Sequence, residues 1–185
     1  MDATAALFRK SGFNAVSMIQ IASAVGLSKP GLYHHWPSKE ALLHTIVKLS
    51  GELLLAHLAQ VEAFDGSHRE KIHRFVATRL QTIAGHQDLF TVTWQERAII
   101  GSVAFNDLTR LAEDYRHRVR SMIEQAKSAG AIRQDVDSHL MMLALDGMTG
   151  WAYFWYRPDG DYDVAEIADA FWDMLSTGVV PPGAT

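Results

Sequence analysis

The residues best suited to chemistry lie at positions 21–39, which read IASAVGLSKPGLYHHWPSK. Ser28, Lys29, Pro30, Gly31, Tyr33, His34 and His35, followed by Lys39, gather hydroxyl, ammonium, phenol and imidazole groups around what reads as the start of a helix. Groups of this kind donate to phosphate oxygens and pair with the donor and acceptor edges of bases, so the expected chemistry is that of a helix laid in the major groove of DNA. Catalytic patterns fit less well. The run from Gly26 to Gly31 holds one residue too many for a Gly-x-Ser-x-Gly nucleophile turn, and no strand precedes it. The nine histidines form no His-Glu-x-x-His site. His68 and His73, five apart, fall on different faces of a helix, and the adjacent His34 and His35 diverge. No cofactor, no metal and no enzymatic activity are expected.

The surrounding residues supply the elements that would position this surface. Ile19, Ala22, Ala24 and Val25 predict a short amphipathic helix, with Ala22 small enough for a second helix to cross closely. Gly26 is placed to take the left-handed conformation that closes it, and Leu27 is expected to turn back into the core. Ser28 would cap the next helix and Pro30 fits its first turn, where a missing N–H costs nothing. Pro37 ends that helix and Ser38 starts another. Leu32 and Trp36, four apart, share the inward face, which leaves the polar residues outside.

This segment resembles the DNA-binding domain of the TetR family of bacterial repressors. The shared pattern is carried by Ile21, Ala22, Gly26, Leu27, Ser28, Leu32, Tyr33, His35, Trp36 and Lys39, with Ala5, Ala6, Leu7, Phe8 and Gly12 before it and residues 41–46 after it. The match covers roughly residues 2–48. Trp36 stands where the family usually has Phe, and the chain begins inside the first helix, without the short basic arm many relatives carry. The resemblance implies an operator-binding homodimer, a partner of palindromic double-stranded DNA, in which Lys39 holds phosphate and Lys29 reaches a base edge.

Composition agrees with a divided chain. Of 185 residues, 48% are hydrophobic and 21% charged, as in a globular protein with a sizeable core. The net charge of −4 looks wrong for a DNA binder until it is split: residues 1–50 carry five Lys or Arg against two acidic residues, and residues 51–185 carry twelve against nineteen. The positive end faces DNA. Cysteine is absent, which leaves no disulfide or thiol switch. With no signal peptide or long apolar run in view, the expected location is the cytoplasm.

No proline occurs between Pro37 and Pro158, and apolar residues recur there at helical spacing. The predicted fold is all-α: an N-terminal three-helix DNA-binding domain with a helix-turn-helix over residues 1–47, then a helical ligand-binding and dimerisation domain over 48–185. Helices are expected from Ser38 to about Val61, through Ile72 to Gly85, from Asp88 to about Gly101, through Leu108 to Gly130, over 138–156 and over 164–178. The last two are apolar enough to need cover on most sides, and the family resemblance implies a four-helix dimer interface through Met141, Leu145, Ile167, Phe171 and Leu175. An effector pocket would draw its walls from Phe90, Trp94, Phe105, Tyr115, Met148, Trp151 and Trp155, and its polar anchors from Arg97, Arg116 or Asp146. Arg116, Arg118 and Arg120 alternate and so read mainly as a solvated stripe. Residues 151–158, WAYFWYRP, resemble TetR-like regulators of lipid or acyl-coenzyme A breakdown. The resulting expectation is a ligand-responsive repressor released by a small hydrophobic effector of acyl-coenzyme A type. The alternatives are an efflux regulator that responds to hydrophobic drugs and a helical protein that does not bind DNA.

Overall fold

A computed structural model describes residues 1–102 and 106–179. Among these, every regular element is a helix: α1 (Asp2–Ser11), α2 (Met18–Ala24), α3 (Lys29–His35), α4 (Lys39–Glu62), α5 (His68–Gly85), α6 (Gln87–Gln95), α7 (Arg97–Ser102), α8 (Asn106–Ser128), α9 (Ser138–Gly150), α10 (Ala152–Trp155) and α11 (Val164–Val179). The chain groups into two compact units, residues 1–52 with 86–111, and residues 53–85 with 112–185. Helices α4 and α8 each contribute residues to both.

In the first unit α1 packs on α2 and α6, and α2 packs on α3. Its core holds Ala5, Phe8, Phe13, Val16, Ile21, Leu32, Leu42, Leu43 and Ile46, with Leu89, Phe90 and Val92 from α6. Polar contacts reinforce the apolar ones. Arg9 of α1 pairs with Asp88 of α6 at 2.7 Å, the Phe13 amide donates to Glu96, and His44 of α4 pairs with Asp107 of α8 at 2.9 Å. Gly51 of α4 makes room for α8, since a Cβ there would lie 2.3 Å from Leu111 Cδ2.

In the second unit α5 is central and packs on α9, α10 and α11. Ile72, Phe75, Val76, Leu80 and Ile83 of α5 are buried, as are Val119, Met122, Ile123 and Ala126 of α8. The end of α8 is closed by Gly130 at φ 75°, with the Gly130 amide donating to Lys127 O and the Ala131 amide to Ala126 O.

Two expected helices are each divided. The segment starting near Asp88 is α6 and α7, and 138–156 is α9 and α10 with Trp151 between them. Trp151 keeps right-handed helical angles at φ −68° and ψ −10°, so the break lies in hydrogen bonding and leaves no mark on apolar spacing. Helix α4, at 24 residues, is long and apolar enough on composition alone to cross a bilayer, contrary to the expectation that no such run exists. Its Leu42, Leu43, Ile46, Leu58 and Val61 are buried in protein, and it carries His44, Lys48 and Glu52.

Candidate nucleic-acid interface

The α2–α3 turn forms as its residues dictate. Ser17 and Gln20 make a reciprocal cap at the start of α2, each side chain satisfying a backbone N–H of the other. Gly26 adopts φ 70°, and the Leu27 amide donates to Ala22 O while the Gly26 amide donates to Ser23 O, two bonds that satisfy carbonyls at the end of α2. Ser28 Oγ accepts from the Gly31 amide at 3.1 Å and Pro30 occupies the first turn of α3. Ser38 Oγ likewise accepts from the Ala41 amide. The polypeptide therefore ends α2 and starts α3 with four residues, Val25, Gly26, Leu27 and Ser28, between them.

Helix α3 is anchored by Leu32, fully buried, and by Trp36, whose Nε1 donates to Thr45 Oγ1 on α4 at 2.9 Å. Lys29, Pro30, Tyr33, His34 and His35 are exposed together, with Ser28 at their edge and Gly31 half-buried. The Lys29 ammonium lies 5.9 Å from the Tyr33 ring centroid, a loose cation–π approach that leaves its donors free for another acceptor. The structure thus places the seven predicted reader residues from Ser28 to His35 on one short helix and its cap.

Three expectations for this region are corrected. Leu27 is 39% exposed, because the turn closes through its backbone amide and needs no buried side chain. Ile19 is 60% exposed and Ala24 is also exposed, so the inward face of α2 belongs to Ile21 and Ala22. The Lys39 ammonium is engaged within the protein. It donates to the carbonyl oxygens of Phe13 (2.7 Å), Asn14 (3.2 Å) and Val16 (2.9 Å), and lies 4.6 Å from the Phe13 ring centroid. An ammonium has three donors, and all three are used to fasten the loop between α1 and α2 to the start of α4. Its acceptors lie 23 to 26 residues earlier in the chain, beyond the reach of any local pattern.

The expected effector residues fall in both units. Phe90 is buried in the core of the first unit, and Trp94 and Arg97 are exposed on α6 and α7, the guanidinium 6.0 Å from the Trp94 ring centroid. Tyr115, Arg116, Met148, Trp151 and Trp155 belong to the second unit: Tyr115 is buried, Met148 half-buried, and Arg116, Trp151 and Trp155 are exposed. Phe105 lies outside the described residues. Burial keeps the Tyr115 phenol neutral, pushing its pKa up to about 12, with the Asp146 charge acting in the same direction and Arg79 opposing. Arg79, absent from the sequence-based candidates, is nine-tenths buried beside it. The signal was available: Ile72, Val76, Arg79 and Ile83 follow the 4-3-4 spacing of the inward stripe of α5.

Expectations for the dimer face are corrected as well. Met141, Leu145 and Ile167 are buried within the chain's own core. The outward apolar residues of the same helices are Leu140 (65% exposed), Leu143, Trp151, Phe154 (68% exposed) and Met174. Phe171 and Leu175 are half-buried, Phe171 against Trp155 with ring centroids 6.4 Å apart. Helical spacing identified a two-sided apolar helix, but not which side faces inward.

Comparison with known proteins agrees with this geometry. The profile for bacterial regulatory proteins of the tetR family matches residues 1–46, and that for tetracyclin repressor-like C-terminal domains matches residues 65–179. The HTH-type transcriptional repressor KstR2 of Rhodococcus jostii is 26% identical over 183 residues, covering 98% of this chain and 90% of that protein. Among solved structures, the TetR family transcriptional regulator PfmR of Thermus thermophilus superposes with a TM-score of 0.85 at 28% identity, covering 96% of each chain. AibR in complex with isovaleryl coenzyme A and operator DNA superposes with a TM-score of 0.78 at 24% identity, covering 94% of each. A helix-turn-helix with its reader face exposed, a separate helical unit and these matches over nearly the full length lead to one conclusion: the chain belongs to the tetR family of bacterial regulatory proteins and is a ligand-responsive, DNA-binding transcriptional repressor.

Proposed function

We propose that the chain acts as a cytoplasmic, non-enzymatic homodimer that reads a palindromic operator through α3 and releases it when a hydrophobic effector of acyl-coenzyme A type binds the second unit. The observation that carries the reading is the exposed face Lys29, Pro30, Tyr33, His34 and His35 on a helix whose opposite side is locked by Leu32 and Trp36. In this account residues 1–47 are the DNA-binding part and 48–185 bind effector and partner. Two copies of α3 would lie about 34–36 Å apart, one turn of B-DNA, which a two-fold dimer supplies. The partner face is the apolar surface of α9 to α11 at Leu140, Leu143, Phe154 and Met174, a patch whose exposure is costly in a monomer.

Support for the effector class comes from the similarity to AibR, solved with isovaleryl coenzyme A and operator DNA, and from the WAYFWYRP segment that closes α9 and α10. The ligand would shift a population: it binds better to a state in which α4, which belongs to both units, holds the two readers at the wrong spacing. Tyr115, Met148, Trp151 and Trp155 are its wall residues in this reading. Titration of acyl-coenzyme A compounds into a preformed complex with labelled operator, followed by anisotropy, tests it. Release at concentrations that also change tryptophan fluorescence is the expected result. Binding without release, or release only by cationic hydrophobic drugs, contradicts the effector assignment.

A further inference from the structure

Three polar side chains from different helices meet inside the second unit. Arg79 of α5 is 7% exposed, its Nη1 donates to the hydroxyl of Tyr115 on α8, and its guanidinium lies 5.3 Å from the Tyr115 ring centroid. The same Nη1 is 3.1 Å from Asp146 Oδ1 on α9. The formal charges balance, yet hydrogen bonding is incomplete: the Arg79 Nε–H has no acceptor, and the buried Asp146 Oδ1 has no donor aligned with it. Roughly 90% or more of buried polar atoms are paired in native interiors, so a donor and an acceptor left over in one cluster call for a third group.

We infer that Arg79, Tyr115 and Asp146 form the polar anchor of the effector site, and that it takes a neutral end group with both an acceptor and a donor, a hydroxyl or primary carboxamide, on an otherwise apolar molecule. The inference rests on the second unit being the effector-binding part. A carboxylate or phosphate would accept from Arg79 but face Asp146, itself 29% exposed, with a like charge, and an ammonium would meet the buried Arg79 in the same way. A hydroxyl accepts from Nε–H and donates to Oδ1, adding no charge. Val76, Leu80, Met142 and Leu145, neighbours of the cluster along α5 and α9, are buried and apolar. In an acyl-coenzyme A effector the charged coenzyme would stay outside, and the anchor would select acyl groups that carry a hydroxyl or amide.

The test uses the whole protein and three probes of equal chain length: 1-hexanol, hexanamide and hexanoate, titrated by calorimetry. Wild type should bind the alcohol and the amide at least about tenfold tighter than the carboxylate, since one buried like-charge contact outweighs one neutral hydrogen bond. Asp146→Asn leaves Arg79 uncompensated and should reverse the order, making hexanoate the tightest. Tyr115→Phe, which keeps the ring, guards against a folding failure in the first variant and should weaken the alcohol and amide without reversing the order. A wild-type preference for hexanoate, no binding by any probe, or an unchanged order in Asp146→Asn overturns the proposal. Operator binding by the unliganded wild type is measured alongside; its absence counts against the regulator reading and leaves the anchor to stand or fall on the probe order.

Discussion

Lys29 and Lys39 look alike in the sequence, each at the first turn of a helix beside the reader, but their surroundings divide the roles. Lys29 is exposed with its donors available; Lys39 spends all three on the carbonyls of Phe13, Asn14 and Val16. Lys29→Ala should therefore leave the melting temperature unchanged and cost about 1–3 kcal/mol of preference for the correct operator over a mismatched one. Lys39→Met keeps the stem and removes the donors, so it should lower stability by about 1.5–3 kcal/mol, the contribution of bonds from a charged donor. Thermal melting together with operator anisotropy on both variants checks the pair; equal effects on both would contradict the division. A second residue-scale prediction concerns acid. The His44 ring bonds to Asp107 and holds that carboxyl below the usual carboxylate range. A depressed folded pKa contributes stability above the unfolded value and loses it as pH falls through the folded one. His44→Ala should accordingly lower the melting temperature at neutral pH, and the difference from wild type should close at the acid end of a pH series.

At the scale of elements, periodicity carried most of the fold. Helices α4, α5, α8 and α11 run within a few residues of their expected bounds, and Ser38, Gly85 and Gly130 mark the start of α4 and the ends of α5 and α8 by local backbone chemistry. What stayed hidden depends on the third dimension. The division of α9 from α10 occurs in a residue that keeps helical angles, and the inward side of α9 is decided by α5 and α10, which pack against it. Met141 and Leu145 went inward and Leu140, Leu143 and Phe154 outward, although all five are equally apolar. Phe154→Glu should yield a monomer by sedimentation with helix content unchanged, because the side chain is 68% exposed and fills no core position. Met141→Glu should instead unfold the second unit, since it places an unpaired charge in a packed interior. Were Phe154→Glu to remain fully dimeric, the partner face would lie elsewhere.

For the molecule as a whole, the account joins a reader that the sequence announced with an effector unit it only outlined. The proposed reader was legible because its residues lie on one continuous segment, 28–35, where residue type and helix start act together. Of the proposed anchor, Tyr115 and Asp146 stood among the candidates, but their meeting with Arg79 was not legible, because α5, α8 and α9 are brought together only by packing. The central claim is that two copies of α3, held by a dimer, recognise an operator. Fluorescence anisotropy on DNA from the protein's own promoter region, across a salt series and with Phe154→Glu as the monomeric control, tests it most directly. The account predicts a complex preferred over random DNA, with log affinity falling linearly as log salt rises, and its loss in the monomer. Binding with no preference over random DNA, or an undiminished complex formed by the monomer, would contradict it.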